Sequence, residues 1–162
     1  MIPYVLKSAE QLKKAGVDFI VLPCNTLHEI LPILKKEINL PFIDLVEETV
    51  KVLKDYSKVG ILSSKRTKES KIYDNLLNNV EIIYPNQEEQ DRISEIIIKI
   101  IKQASINLDK DYINKVILNL KDQGAEKIVL ACTDLANIID LDNSIIDTQK
   151  ILIQSILKKM KE

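Results

Sequence analysis

Apolar residues recur at helical spacing from Tyr4 to Ala15, with Val5, Leu6, Ala9 and Leu12 on one face. Gly16 ends that helix. Phe19–Leu22 is then a short continuous apolar run, the pattern of a parallel strand buried on both faces. The spacing predicts a helix over Leu27–Glu37, with Pro32 leaving its register open. A strand is expected over Leu40–Asp44 and a helix over Val46–Asp55. Val59–Leu62 and Val80–Tyr84 read as strands, and Gln87–Gln103 and Asp109–Gln123 as helices. Ile128–Leu130 and Ile145–Asp147 are two more strands, and Gln149–Lys159 is a last helix. Strand and helix alternate throughout, which argues for an α/β fold with parallel sheets.

The same pattern occurs twice. Gly16-Val17-Asp18-Phe19-Ile20-Val21-Leu22-Pro23-Cys24 aligns with Gly124-Ala125-Glu126-Lys127-Ile128-Val129-Leu130-Ala131-Cys132. Phe42-Ile43-Asp44 likewise resembles Ile145-Ile146-Asp147. Each copy therefore reads helix, glycine, strand, cysteine loop, helix, and a strand ending in aspartate. The expectation is two pseudo-symmetric parallel-sheet lobes, the first of them incomplete. Residues 1–56 joined by 144–162 make the first lobe, and residues 57–143 make the second.

Composition narrows the function. The chain has 162 residues, a formal charge of −1, 46% hydrophobic and 29% charged residues, as in an ordinary globular protein. Near-neutral charge gives no reason to expect nucleic acid or an anionic membrane as partner. No apolar run approaches the roughly 18 to 20 residues of a membrane span. Met1-Ile2-Pro3-Tyr4 lacks the start of a signal peptide, so a cytoplasmic location with free thiols is expected. The three glycines, Gly16, Gly60 and Gly124, are too scattered for a phosphate-cradling loop, so no nucleotide cofactor is expected.

Cys24 and Cys132 are the only cysteines. Both fall beyond the carboxyl end of a strand, where open parallel α/β sheets bind ligands. Each is followed by hydroxyl or amide residues and then by a predicted helix. The N–H groups at a helix start suit a carboxylate and favour a thiolate. The bland alternative is a pair of buried core cysteines. A disulfide is disfavoured by the expected compartment, and two cysteines with one histidine offer too few metal ligands.

Pro23-Cys24-Asn25-Thr26-Leu27-His28 and Cys132-Thr133-Asp134 resemble the paired signatures of the aspartate/glutamate racemase superfamily, in particular the aspartate racemases that work without pyridoxal phosphate. The family's P-C-N-T-x-H is present. Its G-C-T-E appears with Ala131 for glycine and Asp134 for glutamate. Glutamate racemases usually carry a histidine after the second Cys-Thr, and its absence here favours the aspartate branch.

The resemblance implies an isomerase acting on a small acidic amino acid, without cofactor or metal. One cysteine removes the α-proton and the other returns a proton to the opposite face. Carried over by position, Cys24 and Cys132 would be the acid/base pair. Asn25, Thr26 and Thr133 would hold the substrate carboxylate or ammonium, with Asp134 orienting the second thiol. Ser63-Ser64-Lys65-Arg66-Thr67 resembles the family's A-T-x-G-T carboxylate loop, which nominates Ser64 and Thr67. Arg66 stands where the family has glycine, and would disturb backbone approach or supply a cation for a dicarboxylate. Its plain reading is an exposed loop. Lys102 matches a family lysine near the second cysteine, where an ammonium would lower the thiol's pKa. His28, the only histidine, would support the Cys24 loop.

The resemblance also implies a leading strand and a G-G-M-G-P loop of which this sequence shows no counterpart, a segment of roughly sixty residues within a half-domain. Without it the Cys24 strand would expose an apolar parallel edge, which with the family's habit of dimerising gives an expectation of a homodimer. Three readings stay open: an acidic amino-acid racemase, a binding or interaction module that kept the scaffold without the chemistry, and a truncated protein of the glutamate or hydantoin racemase kind.

Overall fold

The computed structural model describes residues 1–103 and 107–161. The chain runs α1 (Ile2–Lys14), β1 (Ile20–Val21), a 3₁₀ turn (Asn25–Ile30), α2 (Leu31–Glu37), β2 (Phe42–Ile43) and α3 (Leu45–Leu53). It continues with β3 (Lys58–Ser63), α4 (Lys65–Glu69), β4 (Glu81–Ile83), α5 (Gln87–Ile101) and α6 (Asn107–Asp122). Then come β5 (Lys127–Ala131), a second 3₁₀ turn (Thr133–Asn137), β6 (Ile145–Asp147) and α7 (Thr148–Lys159).

All strand pairs are parallel. They form a two-stranded sheet, β1-β2, and a four-stranded sheet in the order β4-β3-β5-β6. This is the expected α/β fold with two parallel sheets. The strand Ile145–Asp147, grouped above with the first lobe, pairs with β5 and so completes the larger sheet. The helix after it, α7, packs on α3 and touches β2 and β5.

Side chains alternate across the larger sheet as the period of two requires. Leu62, Ile128 and Leu130 face α5 and α6, meeting Ile93, Ile96, Ile113 and Leu120. Val59, Ile61, Val129 and Ala131 face the other way, onto Val46, Val50 and Leu53 of α3 and onto Tyr73 and Leu77. So α3, which follows the smaller sheet in sequence, covers the larger one. The smaller sheet has two small cores, Ala9, Ile20 and Ile38 in one, Ile30, Leu31 and Leu34 in the other.

The internal repeat is written into the backbone. Gly16 and Gly124 both adopt positive φ, +79° and +94°. Each caps its helix by the same two hydrogen bonds: Gly16 N–H to Lys13 O with Val17 N–H to Leu12 O, and Gly124 N–H to Lys121 O with Ala125 N–H to Leu120 O. This is the Schellman geometry, and only glycine enters it without a Cβ penalty. Asp44 and Asp147 cap α3 and α7 with nearly identical φ/ψ of −90°/107° and −92°/113°.

Three local features differ from the sequence expectation. The helix expected from Leu27 begins at Leu31, because Pro32 is comfortable only in a first turn, where its missing N–H has no partner to lose. The loop Ser64–Thr67 contains a short helix, α4, which Ser64 caps by accepting from Thr67 N–H. After Cys132 only the turn Thr133–Asn137 forms, so the second copy lacks the α-helix that follows Cys24 in the first.

Candidate functional site

Cys24 and Cys132 hold equivalent places. Cys24 caps the 3₁₀ turn Asn25–Ile30 with φ/ψ of −153°/113°, and Cys132 caps Thr133–Asn137 with −141°/119°. Both lie past the carboxyl end of a strand, and both are free and half-buried.

Burial pushes the Cys132 thiol up to about 11, and the Asp134 carboxylate and Cys24 act in the same direction. The thiol lies 3.9 Å from Asp134 Oδ2. The backbone N–H groups of Asp134 and Leu135 pull the other way, without offsetting burial. The lysine that the resemblance would bring here does not set this balance. Lys102 sits exposed as the C-cap of α5, and its ammonium makes no hydrogen bond or ion pair among the described residues. The expected lowering of the thiol is therefore replaced by a rise, because burial disfavours the charged form and Asp134 is an anion.

Three hydroxyls from both lobes converge. Thr26 Oγ1 lies 2.9 Å from Ser64 Oγ and 2.9 Å from Thr67 Oγ1, and Ser64 Oγ lies 3.0 Å from Thr67 Oγ1. Two residues past Cys24, this cluster offers donors of the kind a carboxylate needs. Thr133 begins the turn after Cys132 and is half-buried. Arg66, beside the cluster, is not a free cation: its Nε donates to Glu29 Oε2 at 2.8 Å across the lobes.

Asn25 is not placed as a substrate ligand. It is 1% exposed, and its amide is engaged at both ends. Tyr73 O–H donates to Oδ1 at 2.6 Å, and Nδ2 donates to Thr148 Oγ1 at 3.2 Å. Neither Tyr73 nor Thr148 carries a sequence signal, since both partners lie far from Asn25 along the chain. His28 joins the Cys24 loop to α3. Leu45 N–H donates to its Nε2 at 3.1 Å, so the ring proton is on Nδ1, which donates to Cys24 O at 2.9 Å. Burial lowers its pKa below 6.5 and keeps it neutral. Among the described residues no group of three or more His, Cys, Asp or Glu is arranged for a metal ion. No helix among them is long and apolar enough to cross a membrane.

Residues 2–156 match the Asp/Glu/hydantoin racemase family. The chain belongs to that family. It is 32% identical over 157 residues to the broad specificity amino-acid racemase RacX of Bacillus subtilis, covering 93% of this chain and 68% of that protein. Among solved structures it resembles the Picrophilus torridus aspartate racemase with a TM-score of 0.84 at 26% identity, over 98% of this chain and 69% of that one. A Francisella tularensis glutamate racemase in complex with D-glutamate gives 0.70 at 20% identity, over 98% and 64%, a likeness of fold alone. The racemase-like fold is thus shared over nearly the whole length of this chain.

Proposed function

We propose that the protein racemises an acidic amino acid without a cofactor, using Cys24 and Cys132 as its two acid/base groups. The observation that carries this reading is the equivalence of the two cysteine caps, with matched dihedrals past matched strand ends. Cys132, with its thiol raised to about 11, enters as the proton donor, which leaves Cys24 as the base. The Cys24 thiolate takes the α-proton, and the Cys132 thiol gives its own proton to the opposite face. The product has inverted configuration, and the two cysteines have exchanged protonation states, so the reverse reaction starts from the swapped pair. An α-proton is a weak acid. The step therefore depends on fixed geometry and on donors that stabilise charge growing onto the substrate carboxylate. Thr26, Ser64, Thr67 and Thr133 supply those donors, and Asp134 orients the Cys132 thiol.

Likeness to an aspartate racemase supports an acidic substrate, and the broad specificity of the Bacillus subtilis relative widens the panel to be tried. Exchange of the α-proton of L- and D-aspartate, glutamate and neutral amino acids in deuterated buffer, with circular dichroism, is the test. Loss of racemisation in both Cys24→Ser and Cys132→Ser is expected, with exchange in each variant confined to the one enantiomer that faces the remaining thiol. Racemisation that survives either substitution would falsify the two-thiol assignment.

A second reading is a binding module without the chemistry. The engaged amide of Asn25 and the strongly protonated Cys132 favour it. A rise in melting temperature with aspartate, and no deuterium incorporated by the wild type, would select that reading.

A further inference from the structure

Asn25 directly follows Cys24, and Leu130 stands two residues before Cys132. One buried chain of hydrogen bonds joins them. Tyr73 O–H donates to Asn25 Oδ1 at 2.6 Å, Asn25 Nδ2 donates to Thr148 Oγ1 at 3.2 Å, and Thr148 O–H donates to Leu130 O at 2.9 Å. All four residues are buried. The directions are forced. A carbonyl oxygen only accepts, so Thr148 spends its single proton on Leu130 and must accept from Asn25. That leaves the amide oxygen of Asn25 to accept from the Tyr73 phenol. The orientation of the amide is therefore determined, and with it the path of the backbone just after Cys24.

The anchors come from separate parts of the fold. Thr148 is the first residue of α7, held by the Asp147 cap, whose carboxylate accepts from Gln149 N–H at 2.8 Å. Leu130 belongs to β5, the strand that ends at Ala131, one residue before Cys132. Tyr73 lies in the core between α3 and the larger sheet. A buried, fully directed set of polar bonds tolerates little sliding, because shifting one member leaves another unpaired in a low-dielectric interior. The Cys24 turn is also tied by His28 to Leu45 and by Thr26 to Ser64 and Thr67, but those bonds reach α3 and α4 and its cap, not β5.

We propose that this chain of bonds sets the spacing of the two thiols, which makes Tyr73 and Thr148 positioning residues for the two-cysteine site. The chemical use of that spacing rests on the racemase reading above, whereas the spacing itself is measurable without turnover. The probe is a bifunctional thiol reagent, dibromobimane, which fluoresces only on bridging two sulfurs. Its bridging yield is compared with single-site labelling by monobromobimane.

In the wild type, bridging of Cys24 to Cys132 is expected. Thr148→Val keeps the shape and removes the hydroxyl. It should cut the bridging yield several-fold while each thiol still labels singly, and Thr148→Ser should restore it. Tyr73→Phe should act in the same direction and carries the test if Thr148→Val does not fold. Wild-type bridging in both Thr148→Val and Tyr73→Phe would overturn the inference, as would a wild type that does not bridge at all. Intact bridging with no α-proton exchange by the wild type removes the racemase reading and leaves the spacing result standing. Where exchange is present, Thr148→Val is expected to lower kcat more than it raises KM, because proton transfer depends on thiol position more than substrate binding does.

Discussion

Helices α3 and α7 begin in the same way and end up in different surroundings. Each follows a short parallel strand, and each is capped by the aspartate at or just past that strand's end, at matched backbone angles. Yet α3 buries Leu45, Val46, Thr49, Val50 and Leu53, whereas α7 buries only Thr148 and Leu152. Six residues past each cap, Val50 is 5% exposed and Ile153 is 54% exposed. The difference lies in what each helix meets. α3 lies across the face of a four-stranded sheet, and α7 rests mainly on α3 and touches β2 and β5. Local code starts a helix, and the breadth of the sheet beneath decides how much of that helix is buried.

The largest expected effect tests that contrast. Leu53→Ala removes a fully buried side chain from the packing between α3 and the sheet. It should cost about 2–5 kcal/mol in urea unfolding, by lost burial and the cavity left behind. Leu157→Ala, at a position 53% exposed on α7, should cost about 0.5 kcal/mol or less. Equal costs would mean that α7 has a buried partner in solution and that the asymmetry is false.

The caps give the next effect. Asp44 accepts from Val46 N–H at 3.0 Å and Glu47 N–H at 3.1 Å, and also from Lys35 Nζ at 3.0 Å. Asp147 accepts from Gln149 N–H. Asp44→Ala should therefore cost toward about 2 kcal/mol and Asp147→Ala toward about 0.5, the two ends of the usual range for losing a cap. A thermal melt of each variant decides the order, and a larger loss at Asp147 would reverse the comparison.

The repeat was legible because its signals are local. Glycine at a positive-φ cap, cysteine past a strand end and aspartate before a helix each answer to their own backbone, so nine aligned residues were enough to expect the same order of glycine, strand and cysteine loop twice. Strand pairing follows the repeat as well: Ile145 pairs with Ile128 as Phe42 pairs with Ile20, so each copy sets its last strand beside its own cysteine strand in the same register. Asn25 shows where local reading stops. The motif nominated it for substrate, but its fate depends on Tyr73, 48 residues away, and on Thr148, 123 residues away. For Lys102 the alignment gives a position in sequence, whereas the charges that act on the Cys132 sulfur are those of Asp134 and Cys24.

The two cysteine turns repeat the comparison on a smaller scale. Asp134 lies beside the Cys132 thiol, and the corresponding residue after Cys24 is the neutral Thr26. Asp134→Asn removes one of the charges that hold this thiol protonated. The variant should alkylate at Cys132 up to about tenfold faster at pH 8, the change that one pKa unit would bring. Peptide-level mass spectrometry after iodoacetamide pulses reads each thiol separately. In the wild type the Cys132 rate should keep climbing with pH toward about 11. A plateau near neutral pH would show that solvent reaches this sulfur more freely than its burial implies.

The smallest effect concerns a residue that only one turn has. His28 stands four residues after Cys24, and four after Cys132 stands Ala136. His28 ties the Cys24 carbonyl to the first N–H of α3, and it can do so only as a neutral ring, because Nε2 must accept from Leu45. Burial holds its folded pKa below 6.5. Below that pH the unfolded chain binds a proton that the folded ring resists, so stability is full above about 6.5 and declines as pH falls through the window beneath it. The lowered carboxyl pKa values of Asp44 and Glu48 act in the same direction, but only from near 3.8 and 4.5 downward, where their unfolded forms begin to bind protons. Between pH 7.5 and 5.5 the decline therefore belongs to His28. His28→Gln should be less stable than the wild type at pH 7.5 and should show a flatter melting-temperature profile across that interval. An unchanged slope in the variant would mean that the Cys24 turn is held without the histidine, and that the two turns differ less than their hydrogen bonds suggest.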